Sequence, residues 1–270
     1  MLQKIRETST FIREVTGFKA ETGIILGTGL GGLVREIEIE KILKYSDIPN
    51  FPVSTVEGHQ GELIFGRLGG KNIIAMQGRF HFYEGYGMET VTFPVRVMNE
   101  LGIKTLFVSN ASGGLNPEFK VGDLMMITDH INMFSMNPLA GPNLNELGPR
   151  FPDMSQAYDL HLCNLARKIA VQNQIDLKEG VYIGVSGPTF ETPAEYKMFR
   201  ILGGDAIGMS TVPEVIVARH MSMNVFGISI VTDSGVPGEI VEISHEEVQK
   251  IARVAEPKMS LIIRELISNR

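Results

Sequence analysis

Short runs of apolar, often β-branched residues alternate with helix-patterned segments along the chain, and this alternation constrains the fold more than any other feature. The runs predict strands over 24–26, 62–66, 73–76, 105–109, 124–128, 181–185 and 225–232. The segments between them predict helices over 2–15, 91–101, 157–171, 193–202, 213–221 and 245–267. Such an order builds an α/β sheet that is mostly parallel and covered by helices, because parallel neighbours need a crossover that a helix supplies. The hydrophobic share, 43%, is enough for a sizeable core. No internal repeat or low-complexity segment interrupts the pattern. The stretch "SMNPLAGPNLNELGPRFP", 135–152, reads as a long loop. Elements of one style flank it, so it is an excursion within one domain spanning 1–270 rather than a linker.

Composition excludes several classes of partner. The formal charge is −6, the isoelectric point about 5.6, and no dense Lys/Arg cluster is present, which argues against nucleic acid. No run approaches the roughly 18 apolar residues of a membrane span. The single cysteine, Cys163, sits among apolar helical neighbours in "LHLCNLARKIA" and is expected to be a buried thiol. It permits no disulfide within the chain, as in a reducing compartment. The start, "MLQKIRETSTFIREV", interleaves charge with apolar residues at helical spacing and lacks a signal-peptide core. The expectation is a cytoplasmic protein.

The chemistry begins in "GIILGTGLGGL", 23–33, where a strand runs into glycines spaced G-x-G-x-x-G. A dinucleotide fold needs a helix next, then a strand ending in an acid roughly 20 residues on. Asp47 lies at about that distance, but Ile37, Ile39 and Lys41 alternate as a strand after a short turn, and "IPNFP" follows. The loop therefore fits an anion better than a dinucleotide, with Thr28 adding a hydroxyl to backbone N–H groups. A second Gly-rich segment, "LFVSNASGGLNP", reads as another anion nest. In "MQGRFHFYEGY", Arg79 and His81 share a face in extended geometry; Arg offers a fork for phosphate and His a second donor. With Ser210 at a helix start, these residues describe a phosphate site without Mg²⁺ ligands or a Walker lysine. His59, in the Gly-flanked "EGHQG", could close over an anion. His130, His161 and His220 read as structural, and His220 falls where a helix C-terminus favours its charge. No spacing suggests a metal. Three capping boxes, "TPAE", "TVPE" and "SHEE", predict helix starts whose preceding residues could face one pocket.

The motifs "GTGLGGL", "GHQGEL", "MQGRFHFYEGY", "TFPVRV", "NASGGLNPEFKVGD", "DHIN", "NPLAGPN", "RFPDMS", "GPTFETPAEY", "DAIGMSTVPEVIVARH" and "SHEEV" together resemble the trimeric purine nucleoside phosphorylases. The match runs from about Gly23 to Val248, and in this order it is specific. The resemblance implies one domain with a mixed central sheet partly closed into a small barrel and surrounded by helices. It implies reversible phosphorolysis of purine (deoxy)nucleosides to free base and (deoxy)ribose 1-phosphate, as in purine salvage. It implies no cofactor, inorganic phosphate as co-substrate, and a homotrimer with sites near subunit interfaces.

Carried over by residue, the resemblance puts Thr28, Arg79, His81, the backbone of Ala111 and Ser210 around phosphate, with His59 as its gate. Tyr83 and Met209 line the ribose, and His245 reaches its 5′-hydroxyl. Phe190 packs on the base, Glu191 hydrogen-bonds its N1–H edge, and Ile207 lies under the purine. Phe151 reaches into the neighbouring subunit's pocket. Asp233 stands opposite N7 and the 6-substituent, where 6-oxopurine-specific members carry Asn. An ionised Asp233 would repel a 6-oxo group, so it serves such a base only by holding a proton; burial and the nearby Glu191 favour that. The resulting expectation is preference for inosine and guanosine, weaker rejection of adenosine than in Asn-bearing relatives, and loss of inosine activity at alkaline pH. Two alternatives stand beside it: methylthioadenosine phosphorylase, favoured by Asp233 but opposed by Glu191 and His245, and a non-catalytic purine- or dinucleotide-binding protein.

Overall fold

The computed structural model describes residues 1–27, 30–55 and 60–270. Nine strands form one sheet: β1 Thr22–Leu26, β2 Glu38–Lys44, β3 Glu62–Leu68, β4 Lys71–Gln77, β5 Thr105–Gly114, β6 Leu124–Asn132, β7 Leu177–Gly184, β8 Ala206–Gly208 and β9 Asn224–Ser234. The helices are α1 Leu2–Thr16, α2 Met88–Val91, α3 Phe93–Leu101, α4 Leu160–Gln172, α5 Pro193–Ile201, α6 Val212–His220 and α7 His245–Ser268. The strand order is β2-β3-β4-β1-β5-β8-β7-β6-β9, and β9 pairs back onto β5. Strands β5, β8, β7, β6 and β9 thus close into a five-stranded mixed barrel, from which β1, β4, β3 and β2 extend as an open sheet.

The strand that joins the two parts is β5. Its first half pairs in parallel with β1 from Thr105 to Val108, and its last two residues pair antiparallel with β8. On its other edge it pairs with β9 throughout, with a register shift between Ser112 and Gly113. The segment "NASGG" is therefore strand and not the Gly-rich loop that the sequence suggested. Small side chains permit the bend that carries one strand from a flat sheet into a barrel. Gly114 shows the tightness: a Cβ there would lie 2.8 Å from Val231.

Other departures have local causes. The helix expected over 91–101 is two helices, broken at Thr92, because Pro94 lacks an N–H and cannot sit within a continuous helix. Helix α4 starts at Leu160 and not at 157, since the Asp159 carboxylate caps it by accepting from Leu162 N–H. Strand β8, three residues long, is too short for any periodicity to reveal. The G-x-G-x-x-G stretch, of which residues 28 and 29 lie outside the described residues, is followed by a 3-10 turn, Gly31–Glu36, and then β2, where a dinucleotide fold would have a helix. Gly32 is needed against α7, where a Cβ would collide with the buried Glu256 carboxylate. Residues 135–152 contain no helix or strand. Cys163 is buried and its thiol is pushed up to about 11 by burial. Among the described residues no helix is long and apolar enough to cross a membrane.

Candidate active site

A cleft opens where β5 changes partners. Between Val108, the last residue paired with β1, and Gly113, the first paired with β8, one edge of β5 has no strand beside it among the described residues. Asn110, Ala111 and Ser112 line the cleft there. It is an open cleft of about 650 Å³, counting the solvent at its mouth.

Three chain segments converge on this gap. After β4 come Arg79, His81 and Tyr83; after β7 come Phe190 and Glu191, just before α5; after β8 come Met209 and Ser210, just before α6. Ile207 of β8, Asp233 of β9 and His245, the first residue of α7, complete the wall. Eleven of the fourteen residues expected at the site therefore meet in one cleft. Thr28 and His59 lie outside the described residues. Phe151 does not line the cleft: it is 88% exposed, at the end of the long loop, with the Arg150 guanidinium 5.7 Å from its ring centroid.

Two of the three capping boxes form. Thr192 caps α5 with Glu195, and Ser244 caps α7 with Glu247. These caps fix the helix starts beside Glu191 and His245. The third, "TVPE", does not. Thr211 has φ 70°, its hydroxyl makes no cap, and Glu214 turns inward. There the Glu214 carboxylate accepts from Arg79 Nε at 2.9 Å and Nη2 at 3.1 Å, with both residues almost wholly buried. The fork of Arg79 thus faces Glu214 rather than the cleft, while Nη1 donates to the Ser109 carbonyl at 2.6 Å and to Ser210 Oγ at 3.4 Å. Gly27 permits this packing, because a Cβ there would lie 2.7 Å from the Ser109 carbonyl and 3.0 Å from Nη1.

His81 is fixed by a second carboxylate. Glu84 Oε1 accepts from the His81 backbone N–H at 2.7 Å and lies 3.1 Å from Nδ1. Hydrogen bonds from His81 and Thr55 hold Glu84 down at about 2 against its burial, so it is an acceptor only and sets the proton on Nδ1. Burial lowers the His81 pKa, and the ring is neutral. Tyr83 stacks on it, 4.7 Å between centroids at 12°.

At the far end two carboxyls face the cleft. Burial, with repulsion from Asp233, raises Glu191 to about 7. Burial also raises Asp233, while hydrogen bonds from Thr232 and Tyr196 oppose it. Thr232 Oγ1 lies 3.0 Å from Asp233 Oδ1, and Tyr196 Oη 3.3 Å from Oδ2. Neither Tyr196 nor Glu214 stands out as a site residue in the sequence: one reads as an apolar position of α5, the other as a surface cap.

The remaining histidines lie elsewhere. His130 Nδ1 is 3.2 Å from Tyr158 Oη, in the structural role expected. His161 is exposed on α4 and carries no such role. His220 ends α6, but burial and Arg96 lower its pKa, so the helix terminus does not charge it. Among the described residues no three His, Cys, Asp or Glu side chains cluster as a metal site would.

Comparison with known proteins gives a consistent answer. Residues 21–268 match the model of the phosphorylase superfamily. Purine nucleoside phosphorylase 1 of Bacillus subtilis is 52% identical over 268 residues, 99% of each chain. Crystal structures of schistosome purine nucleoside phosphorylase, one with hypoxanthine and one (from Schistosoma mansoni) with adenosine, each superpose with a TM-score of 0.93 at 41% identity. Each comparison covers 98% of this chain and 96% of the other.

Proposed function

The chain belongs to the phosphorylase superfamily, and from that premise we propose that it cleaves purine nucleosides with inorganic phosphate, releasing the base and (deoxy)ribose 1-phosphate. The observation that carries the reading is the arrangement of the cleft: Arg79, His81 and Ser210 at one end, two base-facing carboxyls at the other, and room for a sugar between. The whole chain, 1–270, acts as one domain, with phosphate as a co-substrate and no cofactor.

Breaking the N-glycosidic bond builds positive charge on the ribose and negative charge on the purine. Phosphate is the nucleophile, so no protein carboxylate attacks. The dianion, on the face of the ribose opposite the base, stabilises the developing cation. Ser210, the Ala111 backbone and Arg79 Nη1 orient it, with Thr28 and His59 completing its surroundings. Neutral His81, its Nδ1 proton committed to Glu84, presents Nε2 as an acceptor for the one hydroxyl of the hydrogen phosphate dianion. Tyr83 and Met209 hold the ribose, His245 its 5′-hydroxyl, and Phe190 and Ile207 the faces of the base. Most of the acceleration comes from positioning and preorganised charge. An ionised Glu191 accepts N1–H of a 6-oxopurine, and a protonated Asp233 donates toward N7 or O6. The bare N1 of adenosine, by contrast, needs a donor. Glu191 and His245 favour this reading over methylthioadenosine phosphorylase, and inosine and guanosine are the preferred substrates.

The test is release of free base from inosine, guanosine, adenosine and methylthioadenosine, with and without phosphate. Inosine and guanosine are expected to be cleaved best, only with phosphate, and equally well in a chelator. Release in phosphate-free buffer, or methylthioadenosine as best substrate, would refute the reading.

The exposed Phe151 completes the site of a neighbouring protomer in a homotrimer. A single aromatic anchor of this kind contributes a kcal/mol or more, so Phe151→Ala is expected to raise KM for inosine about tenfold and leave KM for phosphate nearly unchanged. A fully active monomer in sedimentation would refute it.

A further inference from the structure

We propose that Tyr196 is the residue that sets the balance between 6-oxo- and 6-aminopurines, because its hydroxyl lies between the two carboxyls facing the base and decides which of them carries a proton. The proposal rests on the reading of the cleft as a purine site.

Tyr196 does not touch the cleft. It is a positioning residue on the first turn of α5, 4% exposed, anchored by its backbone N–H to the Thr192 carbonyl. Its ring belongs to a small apolar cluster with Leu115, Ile183, Phe199 and Ile207. It also passes so close to Gly235 that a Cβ there would lie 2.4 Å from Cδ1. The ring cannot swing, so the hydroxyl is held in place. That hydroxyl donates to Asp233 Oδ2 at 3.3 Å, and Glu191 is its other carboxyl neighbour. Burial and the two carboxyls raise its own pKa, so it remains a donor.

One hydroxyl has one proton to give. When Tyr196 donates to an ionised Asp233, Glu191 holds the carboxyl proton. The pair then presents a donor to a bare N1 and an acceptor to a 6-amino group, the pattern of adenosine. When the hydroxyl turns to an ionised Glu191, Asp233 holds the proton. The pair then presents an acceptor to N1–H and a donor to a 6-oxo group, the pattern of inosine. The same two carboxyls read both bases, and only a hydroxyl rotation and the location of one proton differ.

Other groups around the pair do not duplicate this role. Thr232 Oγ1 serves Asp233 Oδ1, but also lies 3.2 Å from the Ser112 carbonyl, an obligate acceptor for its proton. Glu195, on the same turn of α5, repels charge on Glu191. His245 lines the same cleft. On β5, Gly113 pairs with Asp233 and carries no charge.

The experiment compares wild type and Tyr196→Phe. The ratio of kcat/KM for inosine over adenosine is measured from pH 5.5 to 9, and hypoxanthine and adenine binding by calorimetry over the same range. Without the phenol, an ionised Asp233 loses the hydrogen bond it receives in the structure, of a kind worth roughly ten- to a hundredfold, whereas an ionised Glu191 forfeits only one that the hydroxyl must turn to make. Asp233 then keeps its proton to higher pH. The inosine-to-adenosine ratio is expected to rise about tenfold or more near neutrality, and the alkaline loss of both activities to move to higher pH. Ratios and pH profiles that coincide in the two proteins, in turnover and in base binding, would overturn the proposal. If wild type releases no base at all, phosphorolysis is the part that fails, and the calorimetric ratio of the two bases still decides for or against Tyr196.

Discussion

Glu214→Ala is expected to lose ~3–5 kcal/mol of folding stability, because it strands a buried guanidinium. Arg79 is 1% exposed, and Nε and Nη2 both point at the Glu214 carboxylate. Removing that carboxylate leaves a cation next to Ser210, at the end of the cleft assigned to phosphate. Phosphate should therefore restore more stability to Glu214→Ala than it adds to wild type, where saturation at a hundredfold over Kd gives ~2.7 kcal/mol. Arg79→Ala inverts the sign. The loss of stability is similar, but the stranded group is an anion, so phosphate should rescue little and KM for phosphate should rise. Urea denaturation of the three proteins over a series of phosphate concentrations measures all of this. Equal phosphate shifts in the two variants would show that the pair does not govern the charge of the anion site.

That prediction could not be written from the sequence. Motif reading brings Arg79 and Ser210 into view as phosphate ligands, but assigns Glu214 to a surface cap because "TVPE" fits the capping pattern at every position. The pattern is local, whereas the partner of Glu214 lies 135 residues away. Tyr196 was hidden for the same reason: its backbone belongs to a well-formed helix, and its importance comes from Asp233, 37 residues on. What periodicity does expose is the strand and helix order, since each element buries an apolar face at its own repeat. It fails where an element's reason for existing is non-local. Strand β8 is three residues long and exists because β5 and β7 flank it. The "NASGG" stretch of β5 reads as a loop by composition, yet is the strand that leaves one edge open and so creates the cleft. The family resemblance supplied the closed barrel, which alternation alone does not distinguish from an open sheet.

Burial raises both carboxyls that face the cleft: Glu191 to about 7, with repulsion from Asp233 added, and Asp233 above its ordinary value, while Tyr196 opposes both shifts and Thr232 that of Asp233. Coupled groups titrate as a pair, so the proton they share is lost near neutrality. The sign follows from what each base offers. Inosine and guanosine need Glu191 as an anion with Asp233 protonated, and adenosine needs the reverse, so each uses the form of the pair that holds one proton. Their kcat/KM should both fall as pH rises through about 7, where that proton is lost. The two profiles should run in parallel. Glu191→Ala removes both the acceptor and the titration: kcat/KM for inosine is expected to drop ~10²–10³-fold, the cost of a charge-assisted hydrogen bond plus an unpaired buried N1–H. Its remaining activity should lack the limb near 7. Steady-state profiles from pH 5.5 to 9 for both nucleosides, in wild type and Glu191→Ala, provide the measurement. Inosine and adenosine profiles that cross in wild type, or a limb that survives in Glu191→Ala, would show that the two bases do not draw on one shared proton.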